Sequence, residues 1–135
     1  MNPSRAALLF ALSALVIGCT GADDLRRSSM LGVWSGEVTE GAQRYELAMT
    51  IRQLEVGQAA GAAMYSGALS CVGMLTFEGE RDGALLFREA IDDATVCADD
   101  GLIAIRPGTD GTLQWAWYRT DADPQPDAVA VLRRQ

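Results

Sequence analysis

Tyr65-Ser-Gly-Ala-Leu-Ser-Cys71-Val-Gly73-Met-Leu75-Thr-Phe77 and Ala84-Leu85-Leu-Phe87-Arg-Glu89-Ala-Ile91 stand on either side of Glu78-Gly-Glu-Arg-Asp-Gly83, and a further cysteine follows at Cys97. Two runs in which apolar residues recur at every second position, separated by a turn rich in Gly and acidic residues, predict a β-hairpin. The alternation sets Cys71, Gly73, Leu75 and Phe77 on one face of the outgoing strand, and Leu85, Phe87, Glu89 and Ile91 on one face of the return. A bond between Cys71 and Cys97 would staple the hairpin at its open end.

Upstream of the hairpin three more strands are predicted. In Met30 to Glu40, Gly32, Trp34, Gly36 and Val38 share a face, an arrangement that resembles the opening strand of lipocalin- and avidin-type barrels. Gln43 to Leu54 alternates most cleanly, with Tyr45, Leu47, Met49 and Ile51 on one side and Arg44, Glu46, Thr50 and Arg52 on the other. Gln58 to Ser66 is rich in Ala and Gly and would tolerate a helix by propensity, but it is short and lies between strands.

Downstream, Gly101 to Arg106, Thr112 to Thr120 and Ala128 to Arg133 follow, separated by a Pro-Gly turn at Pro107-Gly108 and a loop holding Pro124 and Pro126. Leu113, Trp115 and Trp117 share one face, as do Ala128, Ala130 and Leu132. Eight short strands joined by short turns predict an all-β, antiparallel up-and-down barrel of the lipocalin or avidin kind. A two-sheet sandwich is the other architecture open to such a sequence.

The N-terminus carries a different signal. Arg5 precedes a short apolar run, Ala6 to Ile17, ending in Val16-Ile17-Gly18-Cys19, which resembles the lipobox of bacterial lipoproteins. The expected organisation is a signal peptide over 1–18, a lipidated tether over 19–29 beginning at Cys19, and a barrel domain over 30–135. Thr20 to Ser29 is polar and without apolar periodicity, so no helix is expected there. The expected location is the bacterial cell envelope, on its extracytoplasmic side, with the lipid of Cys19 as the membrane contact. Thr20, rather than Asp, after the cysteine resembles sorting to the outer membrane in enterobacteria.

With Cys19 assigned to lipid, Cys71 and Cys97 remain as a pair in an oxidising compartment, and a disulfide is expected. A metal site is the competing use, but two cysteines in a chain with no His make a poor zinc set. The lack of His removes Ser-His-Asp and Cys-His chemistry, and no catalytic constellation is recognised, so no enzyme and no cofactor is expected. The formal charge is −7, and without residues 1–18 it becomes −8, from 10 Arg against 18 acidic residues. That balance gives no footprint for nucleic acid and is compatible with a basic protein partner.

Gly32-x-Trp34-x-Gly36, Tyr45-x-Leu47-x-Met49, Gly61-x-x-x-Tyr65, Cys71-x-Gly73-x-Leu75, Phe87-x-Glu89-x-Ile91, Cys97, Gly101-x-Ile103 and Ala130-x-Leu132-x-Arg134 together resemble a small secreted β-domain. That domain is known as the extracellular C-terminal part of some actinobacterial serine/threonine kinases and as stand-alone bacterial lipoproteins. The resemblance implies a disulfide-linked barrel outside a membrane and brings no catalytic residues with it.

Glu89 is the residue that asks most of the fold, since alternation puts its carboxylate inside, where it needs donors. Tyr45, Tyr65, Trp34, Trp115 and Trp117 are the candidate donors, and Tyr45, Tyr65, Trp115 and Trp117 are, with Glu89, the candidate ligand-binding residues. A purely structural carboxylate and a purely structural Trp pair are the readings set against that one. The acidic residues around Cys97 and in Asp121 to Asp127 match no calcium loop and read as solvated turns. The expectation is a lipid-anchored binding or sensory module for a small ligand. A protein-binding envelope lipoprotein, such as an inhibitor of a basic cell-wall hydrolase, is the alternative.

Overall fold

The computed structural model describes residues 20–135, so the expected signal peptide and Cys19 lie outside the described residues. One helix is followed by eight strands: α1 (Thr20–Ser29), β1 (Gly32–Glu40), β2 (Gln43–Ile51), β3 (Ala59–Gly67), β4 (Cys71–Arg81), β5 (Ala84–Ile91), β6 (Leu102–Pro107), β7 (Leu113–Tyr118) and β8 (Ala128–Arg134). Each strand pairs antiparallel with its sequence neighbour, and β8 returns to β1, with Trp34 opposite Arg134 and Val38 opposite Ala130. The sheet is therefore a closed up-and-down barrel, and the sandwich alternative is set aside.

Closure follows from the alternation. Every second residue of each strand faces inward, so Trp34, Val38, Leu47, Met49, Ile51, Leu75, Phe77, Leu85, Phe87, Ile103, Ile105, Trp115 and Leu132 converge on one core. Phe77 and Phe87 sit opposite each other in the β4–β5 register with ring centroids 5.4 Å apart. For most of its length the interior is filled by these side chains, and it is not a hollow tube.

The hairpin turn is tighter than the sequence suggests. β4 runs on to Arg81, past a register shift between Phe77 and Gly79, and the turn is Asp82-Gly83 alone. Both residues have positive φ, 52° and 77°, as a two-residue hairpin of the primed type requires.

The expected tether over 20–29 folds instead as α1. Apolar periodicity is absent, but Asp23 in its first turn and Arg26 and Arg27 in its last turn complement the helix dipole. The tertiary reason is Glu80 on β4, which pairs with both Arg26 and Arg27. Behind the helix Met30 is buried, its carbonyl accepting from Trp34 Nε1 at 2.9 Å, while the Arg134 guanidinium lies over the Trp34 ring at 4.3 Å. This end of the barrel, where the β2–β3, β4–β5 and β6–β7 connections lie, is closed. No helix among the described residues is long and apolar enough to cross a membrane.

Candidate functional site

The opposite end carries the turn after β1 and the loops after β3, β5 and β7. The loop after β5 is held down covalently and by hydrogen bonds. Cys97 is bonded to Cys71 at the start of β4, with Cα atoms 6.5 Å apart. Asp92 accepts from the Val72 N–H and Asp99 from the Ile91 N–H, both at 2.8 Å. These carboxylates, expected as solvated turn residues, therefore fasten the loop. Donation from backbone N–H groups also lowers the Asp99 carboxyl below its ordinary value.

Beneath that loop Glu89 points into the barrel and is 1% exposed. Tyr65 on β3 donates its hydroxyl to Oε1 at 2.7 Å, and Trp117 on β7 donates its indole N–H to Oε2 at 3.1 Å. Two glycines make this possible. A Cβ at Gly73, on the neighbouring strand β4, would collide with the Glu89 carboxyl, and a Cβ at Gly101 would collide with the Trp117 indole. The carboxyl thus occupies space that any other residue at position 73 would fill.

Burial raises the Glu89 carboxyl to about 7 despite the opposing Tyr65 and Trp117 hydrogen bonds; the charge of Asp99 adds to the rise. Around neutrality Glu89 exists in both protonation states. Burial also raises the Tyr65 phenol well above its ordinary range, with the adjacent Glu89 adding to it. Tyr45 donates to Glu40 Oε2 at 2.8 Å and is raised by burial first and that hydrogen bond second.

Tyr45, Tyr65, Glu89, Trp115 and Trp117, drawn from four strands, all line one cavity of about 40 Å³ that opens at this end. Tyr65 contacts Tyr45 edge-on at 5.9 Å and Trp115 at 6.5 Å. Glu40, Leu69 and Ala98 complete the mouth and were not singled out by sequence. Each lies at a strand end or in a loop, where alternation carries no information. Ile91, expected inside, is half-buried at the rim. Trp115 Nε1 is the one buried side-chain polar atom among the described residues without a hydrogen-bond partner. A volume of this kind admits a few waters or a group of a few non-hydrogen atoms.

A second concavity, of about 600 Å³, lies on the outer surface across β6, β7, β8 and β1. Its floor includes Ala104, Ala116 and the exposed Val129 and Val131, between Glu37 and Arg106. The polar groups that converge on Glu89 belong to the smaller, inner cavity. Among the described residues no cluster of three or more His, Cys, Asp or Glu is placed to hold a metal. No family model, no curated protein and no solved structure matches this chain.

Proposed function

We propose that this protein is a non-catalytic, small-ligand binding module of the bacterial envelope, tethered through lipid at Cys19, with its binding site at the open end of the barrel. One observation carries the reading. A buried carboxylate, two buried phenols and two indoles from four strands meet at a single cavity that communicates with the surface, while the rest of the interior is occupied mainly by buried apolar side chains. A carboxylate kept only for structure would be as well served in a closed core, whereas a few converging polar groups in an aromatic pocket describe a ligand site. The filled interior bounds the buried part of the ligand to a few non-hydrogen atoms.

The test uses the three indole N–H resonances of the mature protein in a screen of small polar fragments. A ligand is expected to shift the Trp115 and Trp117 signals and leave that of Trp34, at the closed end, in place. Fragments that move none of them, or all three equally, overturn the reading. The tether is tested separately: Cys19→Ser should abolish incorporation of a fatty-acid label and release the protein from membranes.

A second reading rests on the outer concavity and the formal charge of −7. A basic protein, for example a cell-wall hydrolase, would be steered by that charge and would cover Val129 and Val131. Binding that weakens with added salt and is lost in Val131→Asp supports it, and salt-insensitive capture counts against it.

A further inference from the structure

The inner cavity is chemically one-sided. Two carboxylates line it, Glu40 and Glu89, together with two phenols whose hydroxyl protons are already given to them. The phenol oxygens therefore face further partners as acceptors. Among the described residues no Arg lines the cavity, and the chain contains no Lys or His. Arg119 is engaged with the Trp117 ring at 5.7 Å. Four aromatic rings complete the wall, and aromatic faces attract cations. Among the described residues the one buried side-chain donor without a partner is the Trp115 indole N–H, in a residue 2% exposed.

We infer that the cavity takes the ammonium head of a small organic amine, and prefers one with a hydroxyl on the neighbouring carbon. This rests on reading the cavity as a binding site. The ammonium supplies donors to Glu89, Glu40 and the phenol oxygens. The hydroxyl oxygen accepts from Trp115, the partner that the indole lacks in the free protein. A 1,2-amino alcohol fits the available space with the remainder of its carrier outside, past Leu69 and Ala98. A free amino alcohol carries this head as it stands, and in an ethanolamine phospholipid the same oxygen is esterified to phosphate yet can still accept, so both sources are tested.

The probes are ethanolamine, propylamine, 1-propanol and propionate, with glycerophosphoethanolamine as the soluble head of a lipid. Titration of the wild-type protein is followed by the Trp115 and Trp117 indole signals. Ethanolamine is expected to bind at least about tenfold tighter than 1-propanol, the scale of a hydrogen bond to a charged group. Propionate is expected not to bind, and propylamine to fall between. Binding of glycerophosphoethanolamine assigns the site to a lipid head, and its failure beside ethanolamine binding assigns it to a free amine.

Protonation of Glu89 removes its share of the attraction, so ethanolamine binding should weaken about tenfold between pH about 8.5 and about 5.5. The groups facing Glu89 are Tyr65 from β3, Tyr45 from β2, Glu40 from β1 and Asp99 from the loop after β5. The phenols stay protonated across this range. Glu89→Gln, checked for folding by near-ultraviolet circular dichroism, should lose the pH dependence and about tenfold in affinity. Trp115→Phe should bind ethanolamine and propylamine equally. Tighter binding of 1-propanol or propionate than of the amines would keep the cavity as a binding site and overturn the cation. Silence with all five probes overturns the amine proposal, while the fragment screen judges the cavity independently.

Discussion

Glu89 was legible in the sequence as an interior carboxylate because it occupies an inward position between Phe87 and Ile91. What period two did not supply was the space for it. Gly73 lies beside Glu89 in the folded sheet, and only the β4–β5 register, with Leu75 opposite Glu89 and Gly73 opposite Ile91, brings the two together. Gly73→Ala is expected to cost about 1–3 kcal/mol, since the added methyl meets the carboxyl in a packed site. In a Glu89→Ala background the same change should cost much less, and a thermal-denaturation double-mutant cycle reads the coupling. Additive costs would show that the two side chains do not compete for one space. The carboxyl also links stability to pH. Its native value of about 7 exceeds its ordinary 4.5, so the folded state holds more protons between those values. Stability is therefore highest below that window and falls as pH rises through it, by about 3 kcal/mol if Glu89 alone titrates. Asp93 and Asp99 are depressed instead, so their contributions are lost as pH falls below their unfolded values. Urea denaturation of wild type against Glu89→Gln across this range isolates the Glu89 part, and parallel curves would refute it.

Elements were legible in proportion to how far local pattern determines them. The eight strands follow the alternation, whereas α1 does not, because its last-turn Arg residues are held by Glu80 from a strand some fifty residues away. Two features hold the two ends of the barrel, and they should contribute unequally. At the closed end the Arg26 and Arg27 pairs with Glu80 remain partly in solvent, so Glu80→Gln is expected to cost no more than about 1 kcal/mol. Met30→Ala, which empties a buried position under the helix, should cost about 2–4 kcal/mol. At the open end the disulfide closes a sequence separation of 26 residues. Replacing Cys71 and Cys97 together with Ser should cost about 3.5 kcal/mol in the chain-entropy account. The change should be uneven: hydrogen exchange in the loop from Asp92 to Asp100 should quicken more than in β1 or β2. Uniform acceleration would mean that the bond stabilises the barrel as a whole and not the roof of the cavity.

At the scale of the molecule, alternation assigns each residue an inside or an outside but cannot say which strands are neighbours across the closure. That the inward Tyr45, Tyr65, Glu89, Trp115 and Trp117 share a cavity depends on all eight strands holding register at once. The meeting of β1 and β8 carries this burden. Trp34 pairs with Arg134 and Val38 with Ala130, between residues about a hundred positions apart, and Gly36 leaves room for the Val131 carbonyl beside it. Before β8 docks, β1 and β7 both present open edges, which invite pairing with other chains. The inward Ala128, Ala130 and Leu132 are also missing from the core. A chain ending at Asp127 is therefore expected to be aggregation-prone and to lack the near-ultraviolet signature of ordered Trp34, Trp115 and Trp117. A synthetic peptide of Ala128 to Gln135 added during refolding should restore both solubility and that signature, because it supplies the strand with its register contacts intact. A peptide with Ala130 replaced by Asp should fail, since it keeps the backbone donors and acceptors but puts a charge where the core closes. Rescue by both peptides would locate the stabilisation in edge pairing alone, and not in completion of the interior that holds Glu89 and its partners in place.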